Sequence, residues 1–208
     1  MKKTHSQNNW LRRQDRDKFV KLSKSEGYRS RAAYKLLEIN QKFKIIKKNI
    51  NVIDLGSSPG GWTQVVANIL KKTNSTILAI DKLTMVPIEN CNFILDDIEN
   101  FLRNEKKLKK NSYNLILSDM APNSSGHRFT DQVQSEKICS LALDFTLRYL
   151  ALNGSFVCKI MRNSGEKDLI NKTKKNFKAV KLYKPVSSRK DSKEIYMIAL
   201  GFNNLHKD

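Results

Sequence analysis

From residue 51 onward, short β-branched and apolar runs alternate with longer amphipathic segments, and nothing else in the chain restricts its fold so tightly. The runs fall at Val52–Leu55, Thr76–Ile80, Asn92–Leu95, Asn114–Ser118, Ser155–Ile160, Ala179–Tyr183 and Ile195–Ala199. Between them, Gly61–Lys71, Ile98–Lys110, Val133–Leu152 and Glu166–Phe177 carry helical spacing. Strands that alternate with helices bury both faces in an open α/β sheet covered on each side. The loop between the last two strands is polar and has no room for a helix, so that pair is expected antiparallel at one edge. The expected fold is therefore Rossmann-like α/β, a seven-stranded, mostly parallel sheet with an antiparallel edge strand. Ahead of it, Ala33, Leu36, Leu37 and Phe43 give a helix over Arg29–Phe43 with Ser30 as N-cap, and Lys35 lies on that helix.

A length of 208 residues suits one such domain, assigned to 27–208, and is short for two. Residues 1–26 are polar, cationic and without periodicity, and read as a loosely held basic arm. The formal charge of +19 favours a polyanionic partner, although charge alone names no substrate. In the arm, Lys2, Lys3, Arg12, Arg13, Arg16, Lys18, Lys21 and Lys24 surround Trp10, a composition suited to phosphate contacts with some base stacking. No run of 18 apolar residues and no apolar segment behind the N-terminal charges occurs, so no membrane association is expected and the reading is cytoplasmic. Cys91, Cys139 and Cys158 lack C-x-x-C spacing and His5, His127 and His206 are scattered, which points to no metal site.

The segment Val52-Ile53-Asp54-Leu55-Gly56-Ser57-Ser58-Pro59-Gly60-Gly61-Trp62 is a buried strand entering a glycine-rich turn and then a helix. Glycine there lets the backbone approach a ligand. No Lys-Ser/Thr pair follows, so this is no Walker loop, and glycines at 56, 60 and 61 do not make G-x-G-x-x-G. The next strand ends at Asp81, where a carboxylate can accept ribose hydroxyls. The third ends at Asp96 and Asp97, one of which could reach an adenine amino group. These strand ends describe an adenosine site and leave open a dinucleotide or S-adenosylmethionine. The fourth strand delivers Asp119-Met120-Ala121-Pro122 to the same edge, the fifth embeds Lys159 in an apolar run, and Glu194 begins the last. A lysine inside a core strand is costly unless paired or used.

With these motifs in order, the chain from about Gly27 to Gly201 resembles the FtsJ/RlmE ribosomal-RNA 2′-O-methyltransferases. The resemblance is carried by Tyr28-Arg29-Ser30-Arg31-Ala32-Ala33-Tyr34-Lys35-Leu36, by Asp54-Leu55-Gly56 through Trp62, and by Ser118-Asp119-Met120-Ala121-Pro122-Asn123 with Ser125-Gly126. Most specific is Lys184-Pro185-Val186-Ser187-Ser188-Arg189, followed by Ser192, Glu194 and Tyr196. Ser57 and Ser58 stand where alanines are usual, and Ile160-Met161-Arg162-Asn163 departs from the family's pattern.

The resemblance implies the class I methyltransferase version of the fold, with S-adenosylmethionine as cofactor. It implies cofactor contacts at Gly60, Trp62, Asp81, Asp97 and Asp119, and a catalytic set of Lys35, Asp119, Lys159 and Glu194. The implied reaction is 2′-O-methylation of a ribose, a uridine of 23S rRNA, by a monomer acting on the assembled large ribosomal subunit. A tRNA 2′-O-methyltransferase, a non-catalytic RNA-binding protein on this fold and a nicotinamide-dependent oxidoreductase are the alternatives. Chemically, a 2′-hydroxyl is too weak an acid to ionise at neutral pH, so an enzyme must orient it and take one proton. Lys159 is read as base or as a group that steers the hydroxyl, Lys35 and Asp119 as positioning the ribose, and Glu194 as orienting a lysine. To act as base, Lys159 must fall from about 10.4 toward about 7–8, a cost of roughly 3–5 kcal/mol.

Overall fold

The computed structural model describes residues 14–104, 108–122, 125–162 and 166–203. The helices α1 (Lys18–Ser25) and α2 (Ala32–Phe43) precede β1 (Asn51–Leu55), α3 (Gly61–Leu70), β2 (Thr76–Asp81) and β3 (Cys91–Leu95). There follow α4 (Ile98–Arg103), β4 (Tyr113–Ser118), α5 (Arg128–Tyr149), β5 (Leu150–Met161), α6 (Glu166–Lys174), β6 (Phe177–Tyr183) and β7 (Glu194–Phe202). The seven strands form one sheet in the order β3-β2-β1-β4-β5-β7-β6. Strands β1 to β5 pair in parallel, and β7 runs antiparallel to both β5 and β6. The expected antiparallel pairing of the last two strands is present at the sheet's margin. The reversed strand itself sits one place in, with β6 outermost.

Period-two alternation divides the sheet's side chains between two cores. Val52, Leu115, Leu117, Val157, Tyr196 and Ile198 pack with residues of α2 and α3 on one face. Ile53, Ile116, Phe156, Cys158, Ile195 and Met197 pack with α4, α5 and α6 on the other. Lys159 stands opposite Tyr196 in the β5–β7 register, and Glu194 lies two residues before it, so all three project on the α2 side.

Local boundaries depart from the periodic reading where tertiary partners intervene. The expected Val133–Leu152 helix begins at Arg128 and ends at Tyr149, because Leu150 is fully buried and paired with Tyr113 as the first residue of β5. Ser30 is not the N-cap of the next helix; Arg31 holds that place without a side-chain hydrogen bond. Ser30 instead lies so close to Gly61 that a Cβ there would sit 2.2 Å from its Oγ. Absence of a side chain at Gly61 is what lets α2 and α3 meet.

Residues 1–13 of the basic arm lie outside the described residues. Residues 18–25, expected to be unpatterned, form α1. Asp17 caps it, its Oδ1 accepting from Phe19 N at 3.1 Å, and its Oδ2 binds Arg31 Nη1 and, at 3.1 Å, Arg189 Nε. Phe19 packs on Tyr34 with ring centroids 5.3 Å apart. These partners are distant in sequence, so linear periodicity carries no trace of them.

Candidate active site

The carboxyl ends of β1, β2, β3 and β4 open on a crevice of about 810 Å³, the position where an open α/β sheet takes ligands. Its wall includes Gly56, Ser58, Asp81, Asp97, Asp119 and Met120. A Cβ on Gly56 would meet the Met120 side chain at 2.4 Å, and its φ of 72° is left-handed, so only glycine closes this turn. Asp81 accepts from Ser58 N through Oδ2 and from Leu83 N through Oδ1, each at 2.8 Å. Each carboxylate oxygen keeps a lone pair for a further donor. Asp97 caps α4 by accepting from Glu99 N at 2.8 Å, and Asp96 also lies on the wall.

Of the residues expected at the cofactor, Asp81, Asp97 and Asp119 meet on this crevice. Gly60 and Trp62 are not on its wall. Gly60 is the left-handed N-cap of α3. Trp62 is buried, donating its indole N–H to Ala32 O at 2.9 Å and packing against Tyr196. It supports from beneath the sheet face that carries Tyr196.

The four residues expected to be catalytic converge from four elements. Lys35 on α2 donates to Glu194 Oε2 at 2.9 Å. Lys159 Nζ donates to the backbone oxygen of Asp119 at 2.6 Å and stands 3.2 Å from its Oδ1. Tyr196, not among the expected site residues, joins the pairs: its hydroxyl donates to Asp119 Oδ1 at 2.8 Å, and Lys35 Nζ lies 5.7 Å from the centre of its ring. Its place two residues after Glu194 on one strand face was the signal in the sequence.

Burial pushes the Lys159 ammonium down, but Asp119, Glu194 and the hydrogen bond to Asp119 outweigh it and hold it above the ordinary lysine value. Burial pushes Glu194 up, while Lys35 and Lys159 bring it below the usual carboxylate range. The resting site is thus two ion pairs. Behind them Asp54 is buried; desolvation, aided by the charges of Asp119 and Asp81, pushes it up to about 7 against the Thr63 hydrogen bond at 2.6 Å.

For Asp54 the folded value lies above the unfolded one, so between about pH 4 and 7 the folded chain keeps a proton that the unfolded chain has lost. Stability therefore falls across that window, by up to about 4 kcal/mol. Asp54→Asn, which keeps an acceptor for Thr63, should raise Tm by roughly 5–15 °C at pH 8 and change it little at pH 4. Equal shifts in thermal melts at both pH values would contradict the burial of an ionising Asp54.

Strand order, acidic crevice and adjoining lysine–carboxylate cluster together make an open α/β domain of the Rossmann-like type with a candidate ligand crevice at its carboxyl edge. Residues 28–202 match the FtsJ-like methyltransferase family, and the chain belongs to that family. It is 48% identical to "Ribosomal RNA large subunit methyltransferase E" of Anaplasma phagocytophilum, over 95% of this chain and 81% of that one. It is 43% identical to the protein of the same name from Rickettsia canadensis, over 96% of this chain and 91% of that one. A crystal structure assigned as a ribosomal RNA methyltransferase from Plasmodium falciparum superposes with TM-score 0.72 at 33% identity, covering 84% of this chain and 98% of that chain.

Proposed function

We propose that this protein transfers the methyl group of S-adenosylmethionine to a ribose 2′-hydroxyl of large-subunit ribosomal RNA, a uridine of the 23S molecule. The observation that carries the cofactor is the charge of the crevice. In a chain of formal charge +19, its wall holds Asp81, Asp96, Asp97, Glu99 and Asp119 against Lys82 and Lys137. Such a lining suits a ligand bearing a sulfonium and an ammonium and repels the pyrophosphate of a dinucleotide, which disfavours the oxidoreductase alternative. Asp81 would accept the ribose hydroxyls, Asp97 would face the adenine, and Asp119 would stand near the cationic end. No group of three or more metal-ligating side chains occurs among the described residues.

The cofactor supplies an electrophilic methyl carbon. The chain's residues prepare the hydroxyl. Lys35, fixed by Glu194, and Lys159, fixed by Asp119, present two N–H-bearing groups on one sheet face where a ribose edge can be oriented. Lys159 would take the hydroxyl proton once it is a free amine, or steer the hydroxyl as a cation. A positive charge brought beside Asp119 opposes the Lys159 ammonium and moves that lysine toward its free amine. The relatives named as large-subunit rRNA methyltransferases favour that substrate over tRNA, and a substrate on ribosomal particles would put the work in the cytoplasm.

Methyl transfer to free rRNA, large subunits and tRNA side by side, with mapping of the modified ribose, tests the substrate. Because Lys159 rests as an ammonium, the single-turnover rate should climb about tenfold per pH unit from neutrality until the lysine's value in the loaded site is reached. A flat profile between pH 7 and 9 would assign Lys159 to steering as a cation.

A further inference from the structure

At the amino edge of the sheet, opposite the acidic crevice, four loops carry a lysine pair. Lys47-Lys48-Asn49 precedes β1, Lys109-Lys110-Asn111 precedes β4, and Lys174-Lys175-Asn176 precedes β6. Lys71-Lys72 stands in the same place ahead of β2. We propose that this row of lysines docks the phosphate backbone of a double-stranded segment of the ribosomal RNA, apart from the segment that enters the active site. The proposal rests on the RNA reading above and adds a partner surface to it.

Parallel pairing sets the amino ends of β2, β1 and β4 side by side, and β6 points the same way because it and β5 both run antiparallel to β7. All of these lysines are exposed. No Asp or Glu occurs among the described residues of the four loops; Glu89, ahead of β3, lies 3.5 Å from Lys71. With strands about 4.8 Å apart, the row from β2 to β6 is roughly 24 Å long, a span over which a nucleic-acid duplex carries on the order of ten phosphates. The described residues of these loops hold no aromatic side chain on which an unpaired base could stack. Charge and shape are what such a surface can read, and these are the recognisable features of an RNA duplex.

The lysines stand on a fixed frame. Asn49 Oδ1 accepts from Asn74 N and Ser75 Oγ from Ile50 N, each at 3.1 Å, which ties the loop before β1 to the loop before β2. Asn51 Nδ2 donates to Ser112 O at 3.0 Å and ties β1 to the loop before β4. Asn49 and Asn111 turn the chain into their strands at φ of 59° and 52°, a left-handed conformation that asparagine tolerates. The two edges of the sheet cannot meet the same short piece of RNA. Strand β4 alone has six residues, about 20 Å at roughly 3.3 Å each, so phosphates on the lysines belong to a part of a folded RNA distant from the ribose beside Lys159.

The experiment uses the full chain and Lys72→Gln/Lys110→Gln, which removes one charge on each side of β1. This variant should raise KM for large ribosomal subunits roughly tenfold at unchanged kcat, and should lower the salt slope for binding a duplex RNA that lacks a methylation site by about two. Binding of a short single-stranded oligoribonucleotide spanning the target ribose should change little, since that RNA reaches only the opposite edge. Lys167→Gln/Lys181→Gln, which removes two exposed charges from α6 and β6, should leave all three readings near the parent's. An amino-edge variant no weaker than this control, or one that loses the short oligoribonucleotide equally, would overturn the docking surface. So would a parent that holds phosphatidylserine vesicles through these lysines and does not hold duplex RNA. A parent that methylates no rRNA would overturn the reading of the active site instead, and the duplex-binding comparison would still decide the docking surface.

Discussion

Lys159→Ala should lower the rate of methyl transfer by roughly 10²–10⁴-fold, the range that a positioned proton acceptor supplies, while cofactor affinity stays near the parent's. Lys159 lies on β5 between apolar residues and is held by Asp119, through the backbone oxygen at 2.6 Å and the carboxylate at 3.2 Å. It is absent from the wall of the acidic crevice, so its removal is expected to act on the hydroxyl and the transition state. Asp119 keeps the Tyr196 hydroxyl at 2.8 Å, but breaking a buried ion pair can itself cost about 3–5 kcal/mol. Lys159→Met, which retains the apolar stem, separates the two effects. Both variants should lose turnover alike while differing in Tm. Single-turnover assays that found substantial activity in Lys159→Met would move the base to another residue.

Asp81→Ala should weaken S-adenosylmethionine binding by at least roughly 100-fold. Hydrogen bonds to a charged group contribute about 1.5–3 kcal/mol each, and Asp81 has an oxygen for each ribose hydroxyl. The same carboxylate also ties the glycine turn to the segment after β2 by accepting from Ser58 N and Leu83 N. The substitution therefore removes ligand acceptors and loosens two walls of the crevice together. Asp81→Asn, which can accept at only one of its two terminal atoms, should fall between alanine and the parent. Calorimetric titration returning the parent's affinity for Asp81→Ala would place the adenosine elsewhere.

Both outcomes depend on geometry that the sequence states only in part. The glycine turn and the acids at the strand ends were legible because a parallel sheet sends every strand's carboxyl end to the same edge, so order along the chain becomes proximity in space. Asp81, Asp97 and Asp119 share a crevice for that reason. Trp62 begins a helix whose first turn packs toward α2, its indole N–H on Ala32 O, and helix phase relative to a crevice cannot be read from a local motif.

Sequence by itself determined the alternation of strands and helices, the two faces of each strand and the excess of cationic charge, because hydrophobic period and composition are local properties. Only the tertiary structure decided which charges pair. Lys35 and Glu194 are 159 positions apart, and Asp17 and Arg189 are 172 apart. Ion pairing follows distance and burial, and neither exists until β7 inserts between β5 and β6 and brings Glu194 and Tyr196 beside Lys159.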